Sequence, residues 1–334
     1  MDDGLGLLCP AGRARFARGG HFVACISCLG WVIFLALPLV GIKLIWMHLD
    51  WRYMQSSSPS RTALRVALRR AAHQLYDARP LVFDDPVAVP MLGDAYAEEL
   101  RRTPTRFDRP FSFGLRAFLV ARSRYAEDNL AQAVARGVTQ YVLLGAGLDT
   151  FAHRNPYPQL HVFEVDHPAT QQWKRDLLQT SKLRTPENLT YTAVDFERES
   201  LPERLQTTGF DVNAPAFFAW LGVVPYLTLP AFRSTLSFIG SQPIGTGLVL
   251  DYGQPRSALP FFEQLAHDSL ASRVQQVGEP FQLFFTPPEI VAEFTAFHSL
   301  EDLGSTEINA RYFANRKDEL KIRGSAGRFF SACL

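Results

Sequence analysis

Three segments of this 334-residue chain combine glycines, acids and aromatic residues at the ends of short apolar runs, which is where chemistry is most often placed. Gly145-Ala146-Gly147-Leu148-Asp149-Thr150 follows the run Tyr141–Leu144, Asp166-His167-Pro168 follows His161–Val165, and Asp195-Phe196-Glu197 follows Leu189–Val194. Gly145 and Gly147 can turn tightly and admit a ligand against the backbone, because no Cβ stands in the way. Asp166 lies 21 residues after Gly145, where an acid can accept hydrogen bonds from both ribose hydroxyls of an adenosine. A carboxylate at Asp195 could take the adenine amino group while Phe196 packs on the ring. Any one of these acids could instead cap a helix or sit in a solvated loop. Three successive strand ends of the same kind point to a pocket for an adenosine without phosphates.

Other chemistries are poorly supplied. A dinucleotide fingerprint needs a third glycine at position 150, and Thr150 stands there. That counts against a nicotinamide-dependent oxidoreductase, as does the absence of a Tyr-x-x-x-Lys pair. No H-E-x-x-H or paired Cys/His set suggests a metal, and none is expected. Neither a G-x-S-x-G elbow nor a G-x-x-x-x-G-K-[ST] phosphate loop is present.

The elements needed to hold these segments alternate in type. Strand candidates at Tyr141–Leu144, His161–Val165, Leu189–Val194, Ala216–Trp220 and Gly247–Asp251 are short and uniformly apolar, as suits a sheet covered on both faces. Helical stretches between them imply right-handed crossovers and an α/β fold with an open, doubly wound, mostly parallel sheet. Leu300–Leu303 and Arg328–Ala332 are expected to add a closing antiparallel pair. Before the first strand, residues 61–79 carry alanine and leucine at helical spacing with arginines opposite. Because that face is mostly alanine, it should pack on the domain and not on a membrane. A second helix is expected over Ala117–Arg136, after an irregular Phe107–Gly114. These two helices and the segment Pro255–Phe297 should cover the ligand and shape a second site, to which Phe261, Phe262, Phe281, Phe284 and Phe285 could contribute.

Thirty-four basic against 33 acidic residues give a formal charge of +1, which argues against a nucleic-acid partner. A hydrophobic content of 47% with 20% charged residues excludes a disordered chain. The distribution is uneven, however. Residues 22–42 form a 21-residue run without a charge, extended to Met47 past Lys43. Such a run is long enough to cross a hydrocarbon core of about 30 Å, and Trp46 and Trp51 could lie at its interface. Two readings of residues 1–53 stay open: a transmembrane helix over 22–46, or an extension upstream of a start at Met54. Cys25 and Cys28 lie inside the apolar run without partners for zinc. The lack of cysteine pairs elsewhere fits a reducing compartment, so the expected setting is a cytoplasmic domain over 54–334, membrane-anchored only if 22–46 spans.

The runs YVLLGAGLDT (141–150), FEVDHP (163–168) and AVDFE (193–197), with Ser60-Arg61-Thr62-Ala63, Phe83-Asp84-Asp85-Pro86 and Ala121-Arg122, resemble the leucine carboxyl methyltransferase family. The similarity extends from about Ser60 to the C-terminus and is greatest to the bacterial branch of S-adenosylmethionine-dependent methyltransferases. It implies a Rossmann-like class I methyltransferase fold with an N-terminal helical cap, S-adenosylmethionine as cofactor, and a small-molecule methyl acceptor. By motif position Asp166 would hold the ribose, Asp195 and Phe196 the adenine, Gly145 and Gly147 the turn under the methionine, and Arg122 its carboxylate. The acceptor group implied is a carboxyl or hydroxyl oxygen. A hydroxyl would need a base, for which His153 and His167 are candidates by location. One departure stands out: relatives carry an acid before the glycine after the fourth strand, and this chain has Leu221 before Gly222. A cofactor contact is therefore missing at that place.

Overall fold

The computed structural model describes residues 60–103, 110–195, 199–276 and 280–334. Seven strands form one sheet: β1 Gln140–Leu144, β2 His161–Asp166, β3 Leu189–Ala193, β4 Ala216–Trp220, β5 Gly247–Gly253, β6 Ser299–Leu303 and β7 Gly327–Cys333. Their order is β3-β2-β1-β4-β5-β7-β6. The first five pair in parallel, and β7 runs antiparallel to both neighbours. All five strands expected from the apolar runs are present, and the C-terminal pair closes the edge as expected.

Alternation along each strand splits the core into two layers. Tyr141 and Leu143 of β1, with Phe217 and Ala219 of β4, face one side; Val142, Leu144, Phe218 and Trp220 face the other. Each fully buried residue of this size contributes about 1.5–3 kcal/mol, and slipping one strand by a residue would exchange the two faces. Strands β2 and β3 lie to one side of β1 while β4 and β5 lie to the other. The strand order therefore reverses between β1 and β4, and the crevice beyond their carboxyl ends is where such sheets bind ligands.

Helix α1 (Arg61–Tyr76) begins at Ser60, whose hydroxyl accepts from Ala63 N–H at 3.1 Å. Ala67, Ala71 and Ala72 bury its alanine face against Met91 of α2 (Ala88–Met91) and Leu100 of α3 (Asp94–Arg102). The alanine stripe thus packs on the domain, as expected. Helix α4 runs from Pro110 to Ala135, seven residues earlier than the apolar pattern suggests. Proline is tolerated in a first helical turn, and Gly114 interrupts the pattern for a packing reason. A Cβ there would lie 3.3 Å from the Arg323 Cβ. Six further α-helices complete the described layers: α5 Pro168–Thr180, α6 Leu201–Thr207, α7 Leu229–Gly240, α8 Phe261–Gln275, α9 Pro287–Glu293 and α10 Ser305–Tyr312, the last before β7. Among the described residues no helix is long and apolar enough to cross a membrane. The apolar run 22–46 lies outside the described residues.

Candidate active site

A cavity of about 760 Å³ opens at the strand-order reversal. It is floored by the residues after β1, β4 and β5, and covered by α1, α4, α8 and the segment around Phe284. This is the cover expected from the sequence. The volume lies in the upper part of the range for small-molecule sites.

The turn after β1 is held open by its glycines. Gly145 has φ +68° and Gly147 φ +52°, both in the left-handed region. A Cβ on Gly145 would collide with the Val223 side chain. Gly145 and Ala146 donate their N–H groups to Val165 O at 2.8 and 3.0 Å, which ties the turn to β2. Asp166, at the end of β2, accepts from Gly147 N–H at 2.5 Å and from His167 N–H at 2.7 Å. Burial raises the Asp166 pKa above the ordinary value, and these two donors work against that rise. A carboxylate has about four lone-pair sites, so two remain for a ligand diol. Gly145, Gly147 and Asp166 all line the cavity.

Arg122 of α4 reaches the same space. Its Nη1 lies 3.0 Å from Asp251 Oδ2, both side chains are buried, and its Nε has no hydrogen-bond partner. Gly222, at φ +71°, donates to Asp251 Oδ1 at 2.5 Å. A Cβ at Gly222 would meet Arg122 Nη1 at 2.6 Å, so glycine is needed for the guanidinium to lie there. Leu221, the departure from the family pattern, lines the cavity. Asp195 is placed differently: its N–H donates to Glu199 Oε2 at 2.8 Å, and it is not among the cavity's lining residues. Phe196 lies outside the described residues. The structure thus gathers Arg122, Gly145, Gly147 and Asp166 around one cavity and leaves Asp195 out of its lining.

Behind the turn stands a buried polar cluster. Arg70 of α1 donates from Nη2 to Asp85 Oδ2 and Thr150 Oγ1, both at 2.5 Å, and from Nη1 to Asp149 Oδ2 at 3.1 Å. Thr150 in turn donates to Asp85 Oδ2 at 2.7 Å, and Arg154 Nε lies 3.5 Å from Asp85 Oδ1. Burial alone would lower the Arg70 pKa, but the Asp85 and Asp149 charges overcome it and the net shift is upward. Burial would raise the Asp149 pKa, yet the Arg70 and Arg154 charges hold it below the ordinary value. Thr150, where a dinucleotide site would have glycine, is engaged in this cluster. The Phe83-Asp84-Asp85-Pro86 motif therefore ties α1 to the turn after β1.

The second half of the cavity is aromatic. Phe281, Phe284 and Tyr226 line it; Phe285 is a core residue, and Phe261 and Phe262 are exposed at 68% and 81%. The stripe expected to line an acceptor site is thus divided, because α8 begins at Phe261 and turns its first residues to solvent. His153 is not among the lining residues; burial, with the Lys174 charge, pushes its pKa down to about 4. His167 lines the cavity but caps α5 through Nδ1, which accepts from Ala169 N–H at 3.2 Å. His267 of α8 was not anticipated. It lines the cavity against the Phe284 ring, with centroids 5.3 Å apart; neither ring nitrogen makes a hydrogen bond, and Nδ1 lies 3.7 Å from Asp268 Oδ1. No group of three His, Cys, Asp or Glu residues suited to a metal occurs among the described residues.

Sequence and structure comparisons identify relatives of the chain. A family model described as leucine carboxyl methyltransferase matches residues 63–240. A Bacillus subtilis (strain 168) protein named "Putative S-adenosyl-L-methionine-dependent methyltransferase YktD" is 33% identical over 292 residues, covering 80% of this chain and 95% of its own. A similarly named Streptomyces coelicolor protein, SCO7813, is 32% identical over 206 residues, covering 58% of this chain and 68% of its own. The crystal structure of a DUF574 family protein from Streptomyces avermitilis superposes with a TM-score of 0.51 at 19% identity, over 73% of this chain and 95% of that one. The last shows a common fold.

Proposed function

Since the chain belongs to the leucine carboxyl methyltransferase family, it is an S-adenosylmethionine-dependent methyltransferase, and we propose that it methylates a carboxyl or hydroxyl oxygen of a small molecule. One observation carries the proposal: a continuous cavity joins the polar strand ends to an aromatic wall, so one half suits the cofactor and the other an acceptor. Residues 54–334 form the methyltransferase domain in this reading.

The residues present fit the cofactor. Gly145 and Gly147 leave a cradle that a Cβ would fill, and Arg122 Nε is a buried donor awaiting an acceptor. Bound there, S-adenosylmethionine supplies a methyl group on a sulfonium that is already a good leaving group. Asp166 would hold the ribose diol and Arg122 would take the α-carboxylate, since both line the cavity. Phe281, Phe284 and Tyr226 hold the acceptor's apolar part and exclude water. Fixing the acceptor oxygen in line with the methyl group is worth roughly 7–11 kcal/mol in well-aligned reactions. A carboxylate acceptor needs no base. For a hydroxyl, His267, whose ring lines the cavity and whose Nδ1 lies 3.7 Å from Asp268 Oδ1, is better placed than His153 or His167 to accept its proton.

The test is methyl transfer from labelled S-adenosylmethionine into a small-molecule extract of the source organism. The expected label enters a low-molecular-weight product. Release as methanol in mild base identifies a carboxyl ester, and retention an ether. Label found only in protein or nucleic acid would refute the proposal.

A further inference from the structure

The departure at Leu221 and the Arg122–Asp251 pair belong to one arrangement. In the β4–β5 register Trp220 lies opposite Leu250, so the chain leaves β4 at Leu221 beside the position of Asp251. An acid lost from the end of one strand is present at the end of its neighbour. Asp251 is 5% exposed, lines the cavity, and uses one oxygen for Gly222 N–H and the other for Arg122 Nη1. About two of its four lone-pair sites remain. Arg122 keeps a buried Nε without a partner. Arg122 and Asp251 both line the cavity, and two opposite charges side by side at its wall match a zwitterion.

Resting on the reading of the cavity as the S-adenosylmethionine site, we propose that Arg122 and Asp251 seat the amino-acid end of the cofactor, with Asp251 accepting from the α-ammonium in place of the acid that Leu221 does not provide. Gly222 is required because any side chain there would displace the guanidinium. No proton or group is transferred at this seat; its contribution is to binding and orientation.

Calorimetry on the full chain tests this with four ligands. S-adenosylhomocysteine carries both charged groups, S-adenosyl-3-thiopropylamine only the amine, 5′-deoxy-5′-(3-carboxypropylthio)adenosine only the carboxylate, and 5′-methylthioadenosine neither. The wild-type chain should bind the amine-only ligand about tenfold more tightly than 5′-methylthioadenosine, the scale of one charge-assisted hydrogen bond. Asp251→Asn should weaken S-adenosylhomocysteine and the amine-only ligand by about tenfold, and leave the other two within about threefold. An equal loss on the carboxylate-only ligand would overturn the proposal, because Asp251 would then act only through Arg122. Equal wild-type affinities for the amine-only ligand and 5′-methylthioadenosine would overturn it without any variant. If Asp251→Asn fails to fold, which loss of 5′-methylthioadenosine binding reports, that wild-type comparison decides the matter alone. Wild-type chain that binds neither S-adenosylhomocysteine nor 5′-methylthioadenosine would remove the cofactor reading itself.

Discussion

Arg70→Met tests whether the buried cluster holds the cofactor turn in place. Arg70 and Asp85 are 4% and 0% exposed, and Arg70 also bridges Asp149 and Thr150. Removing one partner of a buried pair costs about 3–5 kcal/mol, because a charge is left uncompensated. Asp85 keeps donors from Val87 N–H at 3.2 Å and the Thr150 hydroxyl, with Arg154 nearby. Those place the cost near the lower end, about 3 kcal/mol. At about 2–4 °C per kcal/mol for domains of 150–250 residues, the melting temperature should fall by about 6–12 °C. The pH dependence follows from Asp149. Its carboxyl is held below the ordinary 3.8, so the stability it gives is present above that value and lost as pH falls through its lower folded value. The gap between variant and wild type should therefore narrow below pH 3.8. Arg70→Met combined with Asp85→Leu should cost less than the sum of the two single changes, since Asp85 is then not left buried without its guanidinium. Denaturant titration of the four proteins measures this. A single-variant cost below about 1 kcal/mol, or a strictly additive double variant, would refute the reasoning.

Three further outcomes are expected. Gly145→Ala introduces a Cβ that collides with Val223 at φ +68°; S-adenosylhomocysteine affinity should drop at least about tenfold, with only partial recovery on adding Val223→Ala, because the left-handed conformation still costs about 1–2 kcal/mol. Asp166→Asn cannot accept from both Gly147 and His167 N–H groups and lacks the charge for the ribose; calorimetry should show an affinity loss of about tenfold or more, and a change within twofold would exclude the ribose role. With His153 pushed down to about 4 from the ordinary 6.5, the unfolded chain binds a proton in that window that the folded chain does not, so stability falls with pH there. His153→Gln should retain about 1 kcal/mol more than wild type on going from pH 7.5 to 5, after allowance for solvent screening, and parallel denaturation midpoints would contradict this.

The sheet was legible from the sequence because its strands are buried on both faces, and continuous apolar runs broken by glycine and acids admit few other folds. Gly145, Gly147 and Asp166 follow apolar runs in the sequence, and the fold brings all three to one cavity. Asp251 also closes an apolar run and lines the same cavity. Other features have no local signature. The start of α4 at Pro110 was hidden because Gly114 breaks the helical pattern for contact with Arg323, some 200 residues away. His267 acquires meaning only when α8 folds over the strand ends. Asp85, Asp149 and Thr150 lie in motifs legible from the sequence, but their pairing with Arg70 exists only because three segments converge where water is excluded. Residue types and strand periodicity are local properties and specify the layers and the floor of the site. Which charges compensate each other, and which aromatic residues face the cavity instead of solvent, depends on distances across the chain that only the packed structure sets.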